Sequence, residues 1–282
     1  MPNKVLIAGC GDVGNALATR LLADGCEVWG IRRRPEALAV GIKPWRIDLI
    51  DPLSFGPPPA AFDYLFYTAS ADRRDETHYR AVYVQGLIDL LGTLRAAGSS
   101  LRRVFFTSST AVYSQNQGQW VDESSATEPL QFNGRVLLEA EAVVRHGPEL
   151  GINVRLSGIY GPGRTRMVRK AWDGDAGAAG TWTNRIHVQD CAGALHHLMR
   201  LRNPESLYLG SDDEPATSAD VVTWLSAELG IEPPPVAMAE PSGKRCRNTR
   251  LRGTGYRFEY PSFREGYRPI VREFLSQSGG AR

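Results

Sequence analysis

The chain has 282 residues, 42% of them hydrophobic and 23% charged, with a formal net charge of +2. That is enough apolar material for one large α/β domain, or for a nucleotide domain with a smaller lobe, and too little net charge to imply nucleic-acid or membrane binding. No stretch of ~20 apolar residues is present to span a bilayer. The four cysteines, Cys10, Cys26, Cys191 and Cys246, form no C-x-x-C pair, so no structural zinc, other metal site or disulfide framework is expected. This cysteine usage fits a reducing, cytoplasmic setting, and a strand entered by Lys4 leaves no room for a signal peptide.

In chain order, Val5–Ala8 reads as a buried strand, and apolar residues at helical spacing predict a helix over Val13–Ala23. Glu27–Ile31, Trp45–Leu49 and Asp63–Thr68 read as the next three strands, with the Pro-rich Gly56–Pro59 as a loop. A long helix is expected over Tyr79–Ala97, a strand over Arg103–Ser108, a helix over Arg135–Arg145 and a strand over Ile152–Leu156. Strands alternating with helices mean βαβ units: a Rossmann-type, doubly wound parallel sheet with helices on both faces. Farther on, Gly158–Gly163 is turn-rich, and Gly174–Gly180 is rich in small residues and expected to be mobile. Gln189–Leu201 reads as a helix capped by Asp190, Ser206–Leu209 as a strand, and Ser218–Leu229 as a helix capped by Ser218. Glu232–Pro235 reads as a stiff linker to a C-terminal tail. The expected division is a nucleotide-binding domain over 1–160 and a smaller substrate lobe over 161–282, interleaved with late Rossmann elements around 186–210.

Gly9-Cys10-Gly11-Asp12-Val13-Gly14 follows a strand and opens a helix, the context in which G-x-G-x-x-G binds a dinucleotide. Gly9 makes the tight turn, Gly11 lets the backbone approach a pyrophosphate, and Gly14 lets helix and strand pack closely. The helix N-terminus, at Asp12 and Val13, offers N–H groups and a positive dipole end to the phosphates. The alternative is a glycine turn with no ligand. The second strand runs into Arg32-Arg33-Arg34 with no acid, where NAD binders place a carboxylate for the ribose hydroxyls and NADP binders place Arg. Arg32 and Arg33 therefore point to NADP as the preferred cofactor, with NAD as the alternative; a solvated basic loop is the competing reading. Asp48 is a candidate adenine contact or a plain loop residue. Thr68, Ala69 and Ser108, at the ends of later strands, complete the cofactor candidates.

Four further segments carry a family resemblance: Phe106-Thr107-Ser108-Ser109-Thr110-Ala111-Val112-Tyr113, Arg155-Leu156-Ser157-Gly158-Ile159-Tyr160-Gly161-Pro162-Gly163, Ile186-His187-Val188-Gln189-Asp190 and Leu207-Tyr208-Leu209-Gly210-Ser211-Asp212. With the glycine motif they make nearly the whole chain similar to the extended short-chain dehydrogenase/reductases, the NAD-dependent epimerases and dehydratases that act on nucleotide-sugars. The resemblance implies NAD(P) binding, a C-terminal lobe for the nucleotide end of a small-molecule substrate, and homodimers as a common assembly. It also implies chemistry by a Ser/Thr, a Tyr and a Lys four residues beyond that Tyr. The Tyr moves a proton while the nicotinamide moves hydride.

Ser109 falls on the Ser position. The Tyr–Lys pair is missing. Aligning on Glu141 puts Asn133 and Leu137 at the two positions, and aligning on Glu139 puts Gln131 and Arg135 there. None of the four lysines, Lys4, Lys43, Lys170 and Lys244, has a Tyr four residues before it. An amide does not titrate and Leu carries no charge, so neither replaces the pair. Tyr83, which stands where the family has an Asn, and Tyr160 join Ser109 as catalytic candidates, each with a packing role as the alternative. Arg135 suits ribose binding better than proton relay. Tyr113 and His187 are substrate-binding candidates, with packing as the alternative for the former and a structural His for the latter. The basic run Lys244–Arg252, with Arg245 and Arg250, suits the phosphates of a nucleotide-sugar or a solvated surface strip; no nucleic-acid motif accompanies it. Two functions remain: an atypical NAD(P)-dependent epimerase, dehydratase or reductase, and a non-catalytic NAD(P) sensor on the same fold.

Overall fold

The computed structural model describes residues 2–175, 179–236 and 239–277. Val5 to Ala8 of β1 (Lys4–Ala8) are wholly shielded from water. Next come α1 (Asp12–Ala23), β2 (Glu27–Ile31) and β3 (Lys43–Trp45), and then β4 (Tyr64–Tyr67), which lies on the other side of β1. α2 (Glu76–Arg80) passes through a π turn at Ala81–Gln85 into α3 (Gly86–Ala96), which leads to β5 (Arg103–Ser109). Then come β6 (Gln117–Val121), α4 (Phe132–Arg145), β7 (Leu150–Leu156), β8 (Gly158–Tyr160), α5 (Arg166–Trp172), β9 (Thr181–Thr183) and β10 (Arg185–His187). The order ends with α6 (Val188–Arg200), β11 (Leu207–Gly210), β12 (Ala216–Thr217), α7 (Ser218–Leu229), β13 (Ser242–Cys246), α8 (Thr249–Gly253) and α9 (Phe263–Gln277).

Seven strands form the main sheet in the order β11-β7-β5-β4-β1-β2-β3. β1 pairs in parallel with β2 (Ile7 opposite Gly30) and with β4 (Ile7 opposite Phe66). Its inner strands are near-continuous apolar runs because helices flank the sheet and leave no polar face. The chain winds outward from β1 to β3 and then restarts at β4. The crevice at the C-terminal ends of β1 and β4 is therefore the switch point at which open α/β sheets bind ligands.

The chain divides into two compact units. The first comprises Met1–Ser114, Ala126–Arg155 and Ala192–Tyr208; the second comprises Gln115–Ser125, Leu156–Cys191 and Leu209–Arg282. The chain passes from the first unit to the second between Arg155 and Leu156, and Gln115–Ser125 belong to the second unit. That unit holds a four-stranded sheet, β12-β9-β13-β6, a parallel pair of β8 and β10, and a core around Tyr160, Val222, Leu225, Phe263 and Tyr267.

Several local expectations change. The third strand is Lys43–Trp45, earlier than Trp45–Leu49, because Asp48 turns the chain by accepting the Ile50 N–H at 3.2 Å. The long helix starts at Glu76 and contains the π turn. The Val82 carbonyl inside that turn accepts a hydrogen bond from the buried Tyr67 hydroxyl, and a Cβ on Gly86 would lie 2.5 Å from the Leu49 carbonyl oxygen. Gly158–Tyr160, read as turn, is a strand. Thr217 rather than Ser218 caps α7, in a reciprocal capping box with Asp220. Asp190 lies in the first turn of α6 with its carboxylate committed to Tyr256 and the Glu259 and Tyr260 amides, so it is not a cap. The basic run is no tail: Ser242–Cys246 is an inner strand between β9 and β6. In Gly174–Gly180, residues 176–178 lie outside the described residues.

Gly9 has φ +83°, and a Cβ there would lie 2.2 Å from the Ala69 Cα. Gly9→Ala is expected to cost about 2–4 kcal/mol from strain and overlap, a fall in Tm of roughly 5–10 °C for a chain of this length, read by thermal unfolding.

Candidate active site

The switch-point crevice is built entirely within the first unit. The Gly9 and Cys10 amides both donate to the Ile31 carbonyl, and the Gly11 amide turns back onto the Gly9 carbonyl at 2.7 Å. Thr68 pins the same turn from β4: its amide donates to the Ala8 carbonyl at 2.8 Å and its hydroxyl to the Gly9 carbonyl at 2.9 Å. Gly14 sits where a Cβ would be 3.1–3.2 Å from Ile7, the Gly9 carbonyl and the Thr68 hydroxyl. Gly9, Gly14, Thr68 and Ala69 are thus brought together by packing alone. Gly11 differs. A Cβ there would meet only the Gly9 carbonyl, at 4.0 Å. As the N-cap of α1, Gly11 gives the helix no side-chain cap, and Asp12 and Val13 stand at the opened end.

Arg32 hangs over this turn, its Nη1 donating to the Cys10 carbonyl at 3.0 Å and the Ala37 carbonyl at 3.1 Å. Arg33 reaches a different partner: its Nη2 donates to Asp72 at 2.8 Å. Asp48 is half-buried in its own turn. The Cys10 thiol is pushed up to about 11 by burial, partly offset by Arg32, so it stays protonated and offers no nucleophile.

The end of β5 holds a buried polar cluster that sequence reasoning missed. Glu141, on α4, and Arg155, on β7, form a paired fork, Nε to Oε1 at 2.9 Å and Nη2 to Oε2 at 2.7 Å, with both side chains at or below 5% exposure. Ser108 donates to Glu141 at 2.6 Å, and Arg155 donates to the Tyr113 hydroxyl at 3.0 Å. Burial opposes the Arg155 charge, but the hydrogen bonds and charge of Glu141 win and hold its pKa above the ordinary value. Ser108, a cofactor candidate by sequence, is therefore an internal structural group, and Tyr113, a substrate candidate, is buried with its hydroxyl occupied. The one signal of the cluster was a Glu on the apolar face of the α4 pattern.

Ser109 lies one residue on, half-buried, its hydroxyl accepting the Ala111 amide at 3.2 Å as the cap of a short 3-10 turn. Gly134 lets α4 approach this turn; a Cβ there would lie 2.6 Å from the Ala111 carbonyl. Leu137 is in the core, and Arg135 is exposed with Nη1 on the Leu130 carbonyl. The half-buried Tyr83 packs tilted on Tyr79 and edge-to-face on Phe106, and its hydroxyl accepts the Ala71 amide at 3.3 Å. Burial raises its pKa, so at neutral pH it is a proton donor.

The second unit holds the remaining candidates. Tyr160 is a core residue, stacked 4.6 Å from Tyr267 with its hydroxyl on the Ser262 carbonyl, which removes it as a catalytic group. His187 is buried between Tyr160 and Tyr260; its Nδ1 accepts the Gln189 amide, and burial lowers its pKa to about 4. Arg245 is packed between Trp120 and Trp182, 4.9 and 4.8 Å from their rings, and its Nε donates to the Gly118 carbonyl at 2.7 Å. Arg250 lies 3.8 Å from Glu123, whose other oxygen takes the Leu209 amide. All four cysteines are buried and unpaired by disulfide, no His/Cys/Asp/Glu group suited to a metal occurs among the described residues, and no described helix is long and apolar enough to cross a membrane.

The model of the NAD dependent epimerase/dehydratase family matches residues 5–210 of this chain. The chain belongs to this family. Over 92% of its length and 96% of the relative's it is 30% identical to Protein YeeZ of Escherichia coli K12. A solved structure from Methylobacillus flagellatus, assigned by name to the NAD-dependent epimerases/dehydratases, is 35% identical with a TM-score of 0.84, covering 97% of this chain and 99% of that one. The human epimerase family protein SDR39U1, solved with NADPH, shares the fold at 22% identity and TM-score 0.76, over 95% and 99% of the two chains.

Removing one partner of the buried fork strands a charge. Glu141→Ala is expected to destabilise by about 3–5 kcal/mol, and Glu141→Leu combined with Arg155→Met by less than that, as read by urea unfolding. His187 generates a pH dependence of known sign. Its folded pKa of about 4 lies below the 6.5 of an unperturbed His, so the unfolded chain alone takes up the proton between those values. Stability should fall as pH drops from 6.5 toward 4, and His187→Gln should flatten that slope.

Proposed function

We propose that the first unit binds NADP in preference to NAD at the β1/β4 crevice, and that the chain is an atypical, NADP-dependent epimerase, dehydratase or reductase of a nucleotide-sugar or similar polar carbonyl compound. The observation that carries the cofactor reading is Gly11. Packing explains the other two glycines, but no atom of the chain excludes a side chain at Gly11, beside the uncapped end of α1. A close-approaching pyrophosphate does explain it. Arg32, held over the same turn, offers its remaining guanidinium donors to a 2′-phosphate.

Bound there, the nicotinamide supplies hydride transfer. The residues left to manage the proton in this unit are Ser109, at the end of β5, and Tyr83. Ser109 can orient a reacting oxygen with the donor its capping role leaves unused. Tyr83, protonated at neutral pH and fixed by Ala71, can donate a proton. With Leu137 in the core, no ammonium sits at the Lys position to lower a Tyr pKa, and this favours slow or strictly reductive chemistry over the family's usual proton shuttle. That same absence supports the second reading, an NADP sensor without turnover.

Titration with NADPH and NADH tests the cofactor. Gly11→Ala should keep the wild-type Tm and weaken both nucleotides, whereas Arg32→Ala should weaken NADPH by about 10- to 100-fold, the loss of one or two charge-assisted hydrogen bonds, and leave NADH nearly unchanged. Tighter binding of NADH than NADPH by the wild-type chain would overturn the preference. NADPH oxidation over a panel of nucleotide-sugars separates enzyme from sensor, and Tyr83→Phe should abolish any turnover found while sparing NADPH binding.

A further inference from the structure

The end of β2 carries no acid, yet the fold brings one to it. Arg33 follows β2 and Asp72 follows β4, the two strands that flank β1. Their salt bridge, 2.8 Å long, therefore spans the C-terminal end of β1, where the glycine turn lies. Both side chains are half-exposed, so a ligand in the crevice can reach them.

Asp72 is not loosely placed. Its other oxygen is 2.7 Å from Nε2 of His78, a ring only 5% exposed. The Nδ1 of the same ring faces the Arg73 guanidinium at 3.2 Å. A guanidinium only donates, so Nδ1 accepts and Nε2 carries the hydrogen, close to Asp72 but off the line of a hydrogen bond. His78 is itself held by Asp75, which takes its amide at 2.8 Å, and the loop is pinned once more where Ala71 donates to Tyr83. The bridge to Arg33, and secondarily the neighbouring His78 ring, keep the Asp72 carboxyl below its ordinary pKa, so it is ionised wherever the protein is folded at neutral pH.

We infer that Asp72 is a specificity-determining residue for the cofactor: a carboxylate delivered from the β4 loop to the end of β2, where it engages Arg33 and faces the adenosine ribose. This rests on the proposed nucleotide site. In its present place the carboxylate suits ribose hydroxyls, which donate to it, and disfavours a 2′-phosphate, which it repels and from which it withholds Arg33. Arg32 is then the one arginine of the pair ready for a 2′-phosphate, and Asp72 limits how far the chain prefers NADP.

The test is a binding cycle with NADPH and NADH, read by protein-to-nicotinamide energy transfer. Asp72→Asn, which keeps the shape and removes the charge, should tighten NADPH by about 5- to 20-fold and leave NADH equal or weaker. Arg33→Ala should cost NADPH less than three-fold alone, and should cancel the gain when combined with Asp72→Asn, because only then is Arg33 released to the phosphate. Melting curves for each variant confirm the fold; Asp72→Ser serves if the Asn variant is unstable. An unchanged NADPH/NADH ratio, or a shift toward NADH, overturns the inference while leaving the nucleotide site standing. Failure of the wild-type chain to bind either nucleotide removes the site itself.

Discussion

The approach of the Gly9 turn to the backbone of Ala69 is the contact on which the rest of the first unit depends. It joins β1 to β4, the two strands between which the winding reverses. A chain without a side chain at Gly9 can fold its turn flat against the next loop, and Thr68 then seals that contact with two hydrogen bonds. Everything assigned to the cofactor hangs from this seal: the open end of α1, the Arg32 side chain anchored on Cys10, and the β4 loop that carries Asp72. The loop has no regular structure of its own. It is positioned because Gly9 holds its start, Tyr83 its middle and His78 its end.

The end of β5 obeys a different constraint. Here the chain buries a carboxylate, a guanidinium and two hydroxyls together. Charges removed from water are costly unless fully paired, and the fork between Glu141 and Arg155 meets that condition. It also ties α4 to β7 and β5 at fixed register. Gly134 then brings the first turn of α4 against the Ser109 turn. α4 is therefore held against the end of β5, with Leu137 turned into the core.

In the second unit, burial decides roles against first appearance. Tyr160 and His187 carry groups that suit catalysis, but both are enclosed by aromatic neighbours, and His187 is thereby held neutral. Arg245 carries a charge suited to phosphate, yet its flat face is spent on two tryptophans. Asp190 receives three hydrogen bonds that fasten the 256–260 segment to the first turn of α6.

Much was legible in the chain itself. The strands β1, β2, β4, β5 and β7 are mostly apolar, because a sheet covered on both faces leaves no polar alternation, and the strand–glycine–helix order marks the turn at the end of β1. Short polar strands such as β6, β9 and β13 were not legible. Three to five residues carry no period of their own, and Ser242–Cys246 becomes a strand only because β9 pairs with its first two residues and β6 with the rest. The same limit hid the pairings. Nothing in the sequence ties Glu141 to Arg155 or Arg33 to Asp72, residues 14 and 39 positions apart. Residue type and local order are properties of the chain. Which charge meets which depends on the crossovers that bring distant strand ends to one edge of the sheet, and only the tertiary structure sets those.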